Sequence, residues 1–166
     1  LSGSYVYSWE DIGTPAINGS GTGSGQLNLT FPTAVSYRLS LTPSGSVPLQ
    51  RISFANNVSN DAAKLIGLEQ WGNIAWSSMY SAFTGAGNLV SITATDLPDL
   101  SKVSSMQAMF YNCTALADIN RINEWNTSTV TDMSLMFRNV GQFNQDIGGW
   151  NVSKVTSMRE MFFGAS

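Results

Sequence analysis

The chain has 166 residues, enough for one ordinary domain or two small ones, so a core can form without a metal or disulfide staple. Hydrophobic residues make up 43% and charged residues 11%, which leaves a surface built largely from Ser, Thr, Asn, Gln and Gly and points outside the cell. A net charge of -3, no His and the single Cys113 exclude a phosphate-backbone footprint, an intrachain disulfide, a zinc finger and histidine-based catalysis.

No apolar run is long enough to span a bilayer, and Leu1 to Tyr5 lacks the basic and apolar regions of a signal peptide. A secreted origin therefore implies a leader already removed. In chain order, Tyr5 to Trp9 alternates in part, and Gly13 to Gly25 reads as a loop rich in Gly, Ser, Thr and Asn. Period-two alternation returns in Leu27, Leu29 and Phe31 and in Val35, Tyr37, Leu39 and Leu41, closed by Pro32 and Pro43, and Leu49 to Phe54 supplies another strand. Residues 1–60 are thus expected to form a small antiparallel β unit that caps the remainder of the chain. Ala62 to Leu68 reads as a short helix or turn, a Gly-Asn turn lies between Trp71 and Trp76, and Ser77 to Phe83 reads as helical.

From Trp76 onward the chain repeats. Val103, Val130 and Val155 succeed Trp76 at intervals of 27, 27 and 25 residues, and the same offsets align Met79, Met106, Met133 and Met158, then Phe83, Phe110, Phe137 and Phe162. Ala82, Met109, Met136 and Met161 lie between these columns, and Ala86, Cys113, Val140 and Ala165 come after them. The spacing i, i+3, i+6, i+7 lays one apolar stripe along a short helix, with Ser101, Thr129 and Ser153 as caps and Asn112, Asn139 and Gly164 at left-handed ends. Leu116 with Ile119, and Phe143 with Ile147, leave room for one short strand per unit. The expected fold class is α+β: a short helix/strand solenoid of leucine-rich-repeat type, right-handed by the crossover rule. Its core would be Met79, Phe83, Met106, Met109, Phe110, Met133, Met136, Phe137, Met158, Met161 and Phe162. The expected division of residues 61–166 is a lead-in segment 61–75, units 76–102, 103–129 and 130–154, and a partial unit 155–166. Because the partial unit stops after its helix, further units are expected in a longer parent chain, and its uncovered end predicts weak self-association near Met158 to Phe163.

The phrases Val130-Thr-Asp-Met-Ser-Leu-Met-Phe137, Phe143-Asn-Gln-Asp-Ile-Gly-Gly-Trp150 and Val155-Thr-Ser-Met-Arg-Glu-Met-Phe162 resemble the repeat of BspA-like leucine-rich-repeat surface proteins. Gly67 to Trp76, with Met79 and Phe83, resembles the segment preceding the first repeat of that family. The resemblance covers about Ile66 to Ser166 and, less closely, Tyr37 to Asn57. It implies a secreted or surface-anchored protein that contacts other proteins, cells or matrix, with no catalytic, cofactor-binding or metal residues to carry over. The phrase Phe-Asn-Gln-Asp-Ile-x-x-Trp is replaced in this chain over Leu89 to Leu100.

No pair of carboxylates among Glu10, Asp11, Asp96, Asp99, Asp118, Asp132 and Asp146 has a spacing that supplies a catalytic cleft, and no calcium loop with a closing Glu is present. Cys113 reads as a small buried thiol. Asn28, Asn57, Asn112, Asn126 and Asn151 head Asn-x-Ser/Thr motifs. The expected function is a noncatalytic extracellular recognition or adhesion module without cofactors, contacting a protein or glycan. Asp118, Asn120, Asn144, Asp146, Asn126 and Asn151 are the candidate contacts. A structural spacer or cap is one alternative. A carbohydrate-binding module using Tyr5, Tyr7 and Trp9 or Trp71 is the other.

Overall fold

A computed structural model of the chain describes residues 3–24, 27, 36–45, 50–54 and 61–165. These divide between two compact units, Leu1–Arg51 and Ile52–Ser166.

In the first unit, strand β1 (Ser4–Asp11) lies between β2 (Asn18–Ser24) and β3 (Tyr37–Ser44), antiparallel to both. The Gly13 to Gly25 stretch, expected as a loop, therefore contains a full strand. The pairing explains why: Tyr5, Tyr7 and Trp9 stand opposite Gly23, Gly21 and Gly19, and their rings lie across the glycines. A Cβ at residue 19, 21 or 23 would come within 2.8, 2.7 or 2.8 Å of the facing ring. Alternate glycines here mark a strand whose burial is supplied by its neighbour's aromatic rings. The opposite face is polar, with Glu10 between Asn18 and Arg38 and Ser8 between Ser20 and Ser40; Arg38 donates to Glu10 at 2.6 Å. Asp11 Oδ1 accepts the N–H groups of Gly13 and Thr14 at 2.7 and 3.0 Å and so fixes the turn leaving β1. β3 contains the expected Tyr37, Leu39 and Leu41, and tolerates Pro43 because it is an edge strand. The strand positions expected at Leu29, Phe31, Val35 and Leu49 lie outside the described residues, and residues 52–54 belong to no strand.

The second unit corrects the expected fold. Among the described residues there is no α-helix, only 3-10 turns at Asp61–Lys64 and Ile122–Glu124, and the parallel strands β4 (Gly67–Leu68), β5 (Ser91–Ile92) and β6 (Asp118–Ile119) are two residues each. The fold is mostly β, with two three-stranded sheets, and no helix/strand solenoid of leucine-rich-repeat type forms.

The helical reading of 76–86, 103–113, 130–140 and 155–165 fails for a local reason. Ser81, Ala108, Leu135 and Glu160 take φ of 52, 55, 60 and 54°, and Gly85, Asn112, Asn139 and Gly164 take 79, 60, 61 and 71°. A left-handed residue in every turn breaks an α-helical hydrogen-bond ladder. Three-residue turns replace it, such as Ala82 N–H to Met79 O, Met109 to Met106 and Met136 to Met133, each at 3.1 to 3.3 Å. Such turns also return residues i and i+3 to the same side, so they satisfy the apolar spacing that suggested a helix.

Alternate donors cross between these four segments, which lie side by side as tiers. Met79, Ser81, Phe83 and Gly85 donate to Ser105, Gln107, Met109 and Tyr111 at 2.8 to 3.1 Å. Met106, Ala108, Phe110 and Asn112 donate onward to Asp132, Ser134, Met136 and Arg138, and Met133, Leu135, Phe137 and Asn139 to Ser157, Arg159, Met161 and Phe163. Inside, the rings of Phe83, Phe110, Phe137 and Phe162 stack at centroid separations of 5.4, 5.6 and 5.6 Å, and Phe54 covers Phe83 at 6.1 Å. Each such pair contributes roughly 0.5–1.5 kcal/mol beyond its area burial. Asn139 Nδ2 donates to Asn112 Oδ1 at 2.7 Å, linking two of the left-handed corners.

At the outer edge of β6 the Gln145 side chain takes the place of a neighbouring strand. Its Oε1 accepts the Ile119 N–H at 2.7 Å, while its Nε2 reaches Ile119 O at 3.3 Å and Asp118 Oδ1 at 2.7 Å. One side-chain amide thus performs both roles of a peptide group and occupies an otherwise open strand edge.

Ala108→Val should lower stability by about 1 kcal/mol or more in denaturant titrations, because a branched side chain tolerates the positive φ at this nearly buried position less well than Ala does. Gly23→Ala should loosen the β1 amides in hydrogen exchange more than Gly21→Ala does, because Tyr5 is buried and cannot withdraw while Tyr7 is half-exposed.

Candidate functional site

The residues expected to contact a partner fall into two neighbourhoods of the second unit. Around Gln145, Asp118 and Asn120 belong to β6 and the residue after it, and Asn144 and Asp146 flank Gln145. Asp118 accepts from Gln145, Asn120 Nδ2 donates to Ala94 O at 3.0 Å, and Asp146 Oδ1 takes the Gly148 N–H at 2.8 Å. In the other neighbourhood, Asn126 and Asn151 accept the N–H groups of Ser128 and Ser153 at 3.2 and 3.0 Å, and Thr127 Oγ1 donates to Asn151 O at 3.1 Å. Asn144, Asp146, Asn126 and Asn151 are exposed, yet apart from Asn144 each candidate spends hydrogen-bonding capacity on its own turn or sheet.

Met79, Phe83, Met106, Met109, Phe110, Met133, Met136, Phe137 and Met161 are buried, whereas Met158 and Phe162 are 44% and 46% exposed. Phe163 beside them is 60% exposed. This apolar edge adjoins a charged cluster: the Arg138 guanidinium pairs with Glu160, sits 4.7 Å from the Phe163 ring centre, and shares Glu160 with Arg159 at 3.3 Å. A shallow cleft of about 400 Å³ lies alongside, lined by Gln107, Ser134, Arg138, Ser157, Arg159 and Glu160.

The aromatic platforms a sugar would need are poorly presented. Trp71, Trp76, Trp125, Trp150 and Tyr5 are buried and Tyr7 and Trp9 half-buried, and the rings of the first sheet lie on the face opposite Glu10, Asn18 and Arg38. The carboxylates serve backbone geometry. Asp96 receives the N–H groups of Trp71 and Gly72 at 3.0 and 2.7 Å, and hydrogen bonds from Ser101 hold the Asp99 carboxyl below its ordinary range. Among the described residues no group of three or more His, Cys, Asp or Glu could hold a metal ion, and no helix is long and apolar enough to cross a membrane. Of the Asn-x-Ser/Thr motifs, Asn28 and Asn57 lie outside the described residues, Asn112 is half-buried in its link to Asn139, and Asn126 and Asn151 are exposed.

Against known proteins, residues 77–166 match the family described as "Mycoplasma protein of unknown function, DUF285", and the chain belongs to that family. No curated protein and no solved structure matches it. The BspA-like leucine-rich-repeat assignment is thereby corrected: the family that matches is a different one, and the tiers lack the helices that assignment requires.

Cys113 is buried, its thiol donating to Phe83 O at 3.1 Å. Desolvation pushes it from 9.0 up to about 12, against a smaller opposing effect of a backbone hydrogen bond. The folded protein then keeps a proton that the unfolded chain loses, so this contribution is intact below pH 9.0 and is lost as pH rises toward 12. Alkaline denaturation should show stability falling by at most about 1.4 kcal/mol per pH unit from this group, a slope that Cys113→Ala removes.

Proposed function

We propose that the protein is a noncatalytic extracellular recognition or adhesion module whose second unit meets another protein through exposed apolar side chains. The supporting observation is the contrast between the polar and the large apolar side chains of that unit. Apart from Asn144, the candidate polar contacts are engaged in turns and strand edges, while Ile66, Val90, Val152, Met158, Phe162 and Phe163 stand exposed. An apolar patch held by a rigid scaffold costs little ordering on binding. Weak self-association of the isolated chain near Met158 to Phe163 is a second reading. The spacer reading draws support from the number of exposed Asn and Asp residues already committed to local turns.

The purified protein should show saturable binding to at least one member of a panel of extracellular matrix proteins and glycans. A Phe162→Asp, Phe163→Asp double variant should weaken that binding by about tenfold or more, and Asn120→Ala, Asn144→Ala should leave it unchanged. Loss in the asparagine variant alone would move the contact to the β6 side, and absence of any binding would favour the spacer. Sedimentation velocity across concentrations separates self-association from a foreign partner.

A further inference from the structure

The parallel sheet of the second unit carries, on its flank, a row of aliphatic side chains that the core does not use. Leu89 and Ile92 around β5, and Leu116 and Ile119 around β6, are fully buried. Ile66 and Val90, just before β4 and β5, are instead each 55% exposed, the most exposed aliphatic side chains among the described residues. Backbone bonds hold the row together: the Val90 N–H donates to Ile66 O at 3.3 Å, and the Ala117 N–H to Val90 O at 3.0 Å. Neighbouring strands lie about 4.8 Å apart, so Ile66, Val90 and Ala117 form one strip rather than scattered exposures. The strip crosses the strands on the side of the stack, where a neighbouring tier extends it and does not cover it.

The charges beside the strip are of one sign. Asp118 follows Ala117, Asp146 flanks Gln145 at the β6 edge, and both are exposed. Each spends only Oδ1 internally, on Gln145 Nε2 and the Gly148 N–H at 2.7 and 2.8 Å, which leaves both Oδ2 atoms open among the described residues. Between Lys64 and Arg121 the chain has one basic residue, Lys102. Lys64 is already engaged, and the Arg121 guanidinium donates to both Glu124 oxygens at 2.9 and 2.7 Å and to Thr95 O at 2.6 Å.

We propose that this strip docks a cationic amphipathic segment of another protein, with aliphatic side chains over Ile66 and Val90 and Lys or Arg side chains reaching Asp118 and Asp146. The proposal rests on the recognition reading, adds the partner's chemistry to it, and uses a surface apart from Met158 to Phe163. Apolar contact supplies most of the affinity, because exposed ion pairs contribute little, and the carboxylates select the sign of the partner. An anionic segment meets the same strip with like charges against it.

The probe is a synthetic amphipathic Lys/Leu peptide, with a Glu/Leu peptide of the same pattern as its charge control, titrated into the isotope-labelled full chain. The Lys/Leu peptide should shift the Ile66 and Val90 methyl signals and the Ala117 and Asp118 amides, and its binding should weaken as salt is added. Ile66→Ser with Val90→Ser should weaken binding about tenfold. Asp118→Asn with Asp146→Asn, which keeps the acceptor oxygens for Gln145 and Gly148, should weaken it about threefold. Phe162→Asp with Phe163→Asp should leave it unchanged, and dispersed amide spectra away from the strip show that each variant is folded. Absence of Lys/Leu binding overturns the proposal, as do equal binding of the Glu/Leu peptide, shifts centred elsewhere, or full binding by the Ile66, Val90 variant. If a matrix protein binds the Ile66, Val90 variant as well as the parent while the strip ignores the Lys/Leu peptide, the recognition reading survives and this docking surface does not.

Discussion

The second unit depends on where its backbone N–H groups go once a left-handed residue interrupts every turn. A helix would satisfy them within the segment; with φ positive at Ser81, Ala108, Leu135 and Glu160, half of them are turned sideways and have to find carbonyls in the next segment. That requirement couples one tier to another 25 or 27 residues away in sequence. It also explains how segments with so little regular secondary structure can hold a dry core, since the buried polar backbone is paired across the tiers.

The aromatic column arises from the same geometry. Cross-tier bonds bring equivalent residues close together, so one large flat side chain per tier fills the interior by stacking, and Phe83, Phe110 and Phe137 do so at nearly constant separation. Phe143 and Trp150 also stack near-parallel to Phe137, at 4.2 and 6.3 Å. Trp150 Nε1 donates to Ile122 O at 2.7 Å, so the ring fills space and secures a neighbouring turn together. In the first unit rings again supply the burial, but there they lie across glycines of a paired strand rather than on one another.

The sequence columns identified the residues that meet in the first three tiers, where the matched Met, Phe and small-residue positions are buried together, whereas Met158 in the fourth is exposed. What they could not distinguish was an α-helix from successive three-residue turns, because both return an apolar residue to the same side after three positions. The distinguishing angles sit at Ser81, Ala108, Leu135 and Glu160, where the residue types give no hint of positive φ; only Gly85, Asn112, Asn139 and Gly164 advertise it. β2 escaped for the opposite reason, since its glycines carry no pattern until the facing Tyr5, Tyr7 and Trp9 are known. For the candidate contacts, residue type revealed polarity and exposure but not that Asn126, Asn151 and Asp146 hold their own turns. The Gln145 amide was visible as part of a phrase, and its role at the Ile119 edge depends on a neighbour 26 residues away.

The bonds between tiers run both ways where each tier begins, with Thr131 and Thr156 N–H donating back to Ser104 and Thr131 O at 2.8 Å, but one way through its turns. On the turn side, twelve peptide groups point their N–H ends in the same direction along the stack. Aligned peptide dipoles add, as they do in a helix, although here the axis runs across the chain rather than along it. The N–H ends of that array face the side of Met158, Glu160, Phe162 and Gly164, and its carbonyl ends face the side of Ala82. A protein of net charge -3 thus contains, in its uncharged backbone, a local field that favours electron-rich groups at the edge where its apolar side chains are exposed.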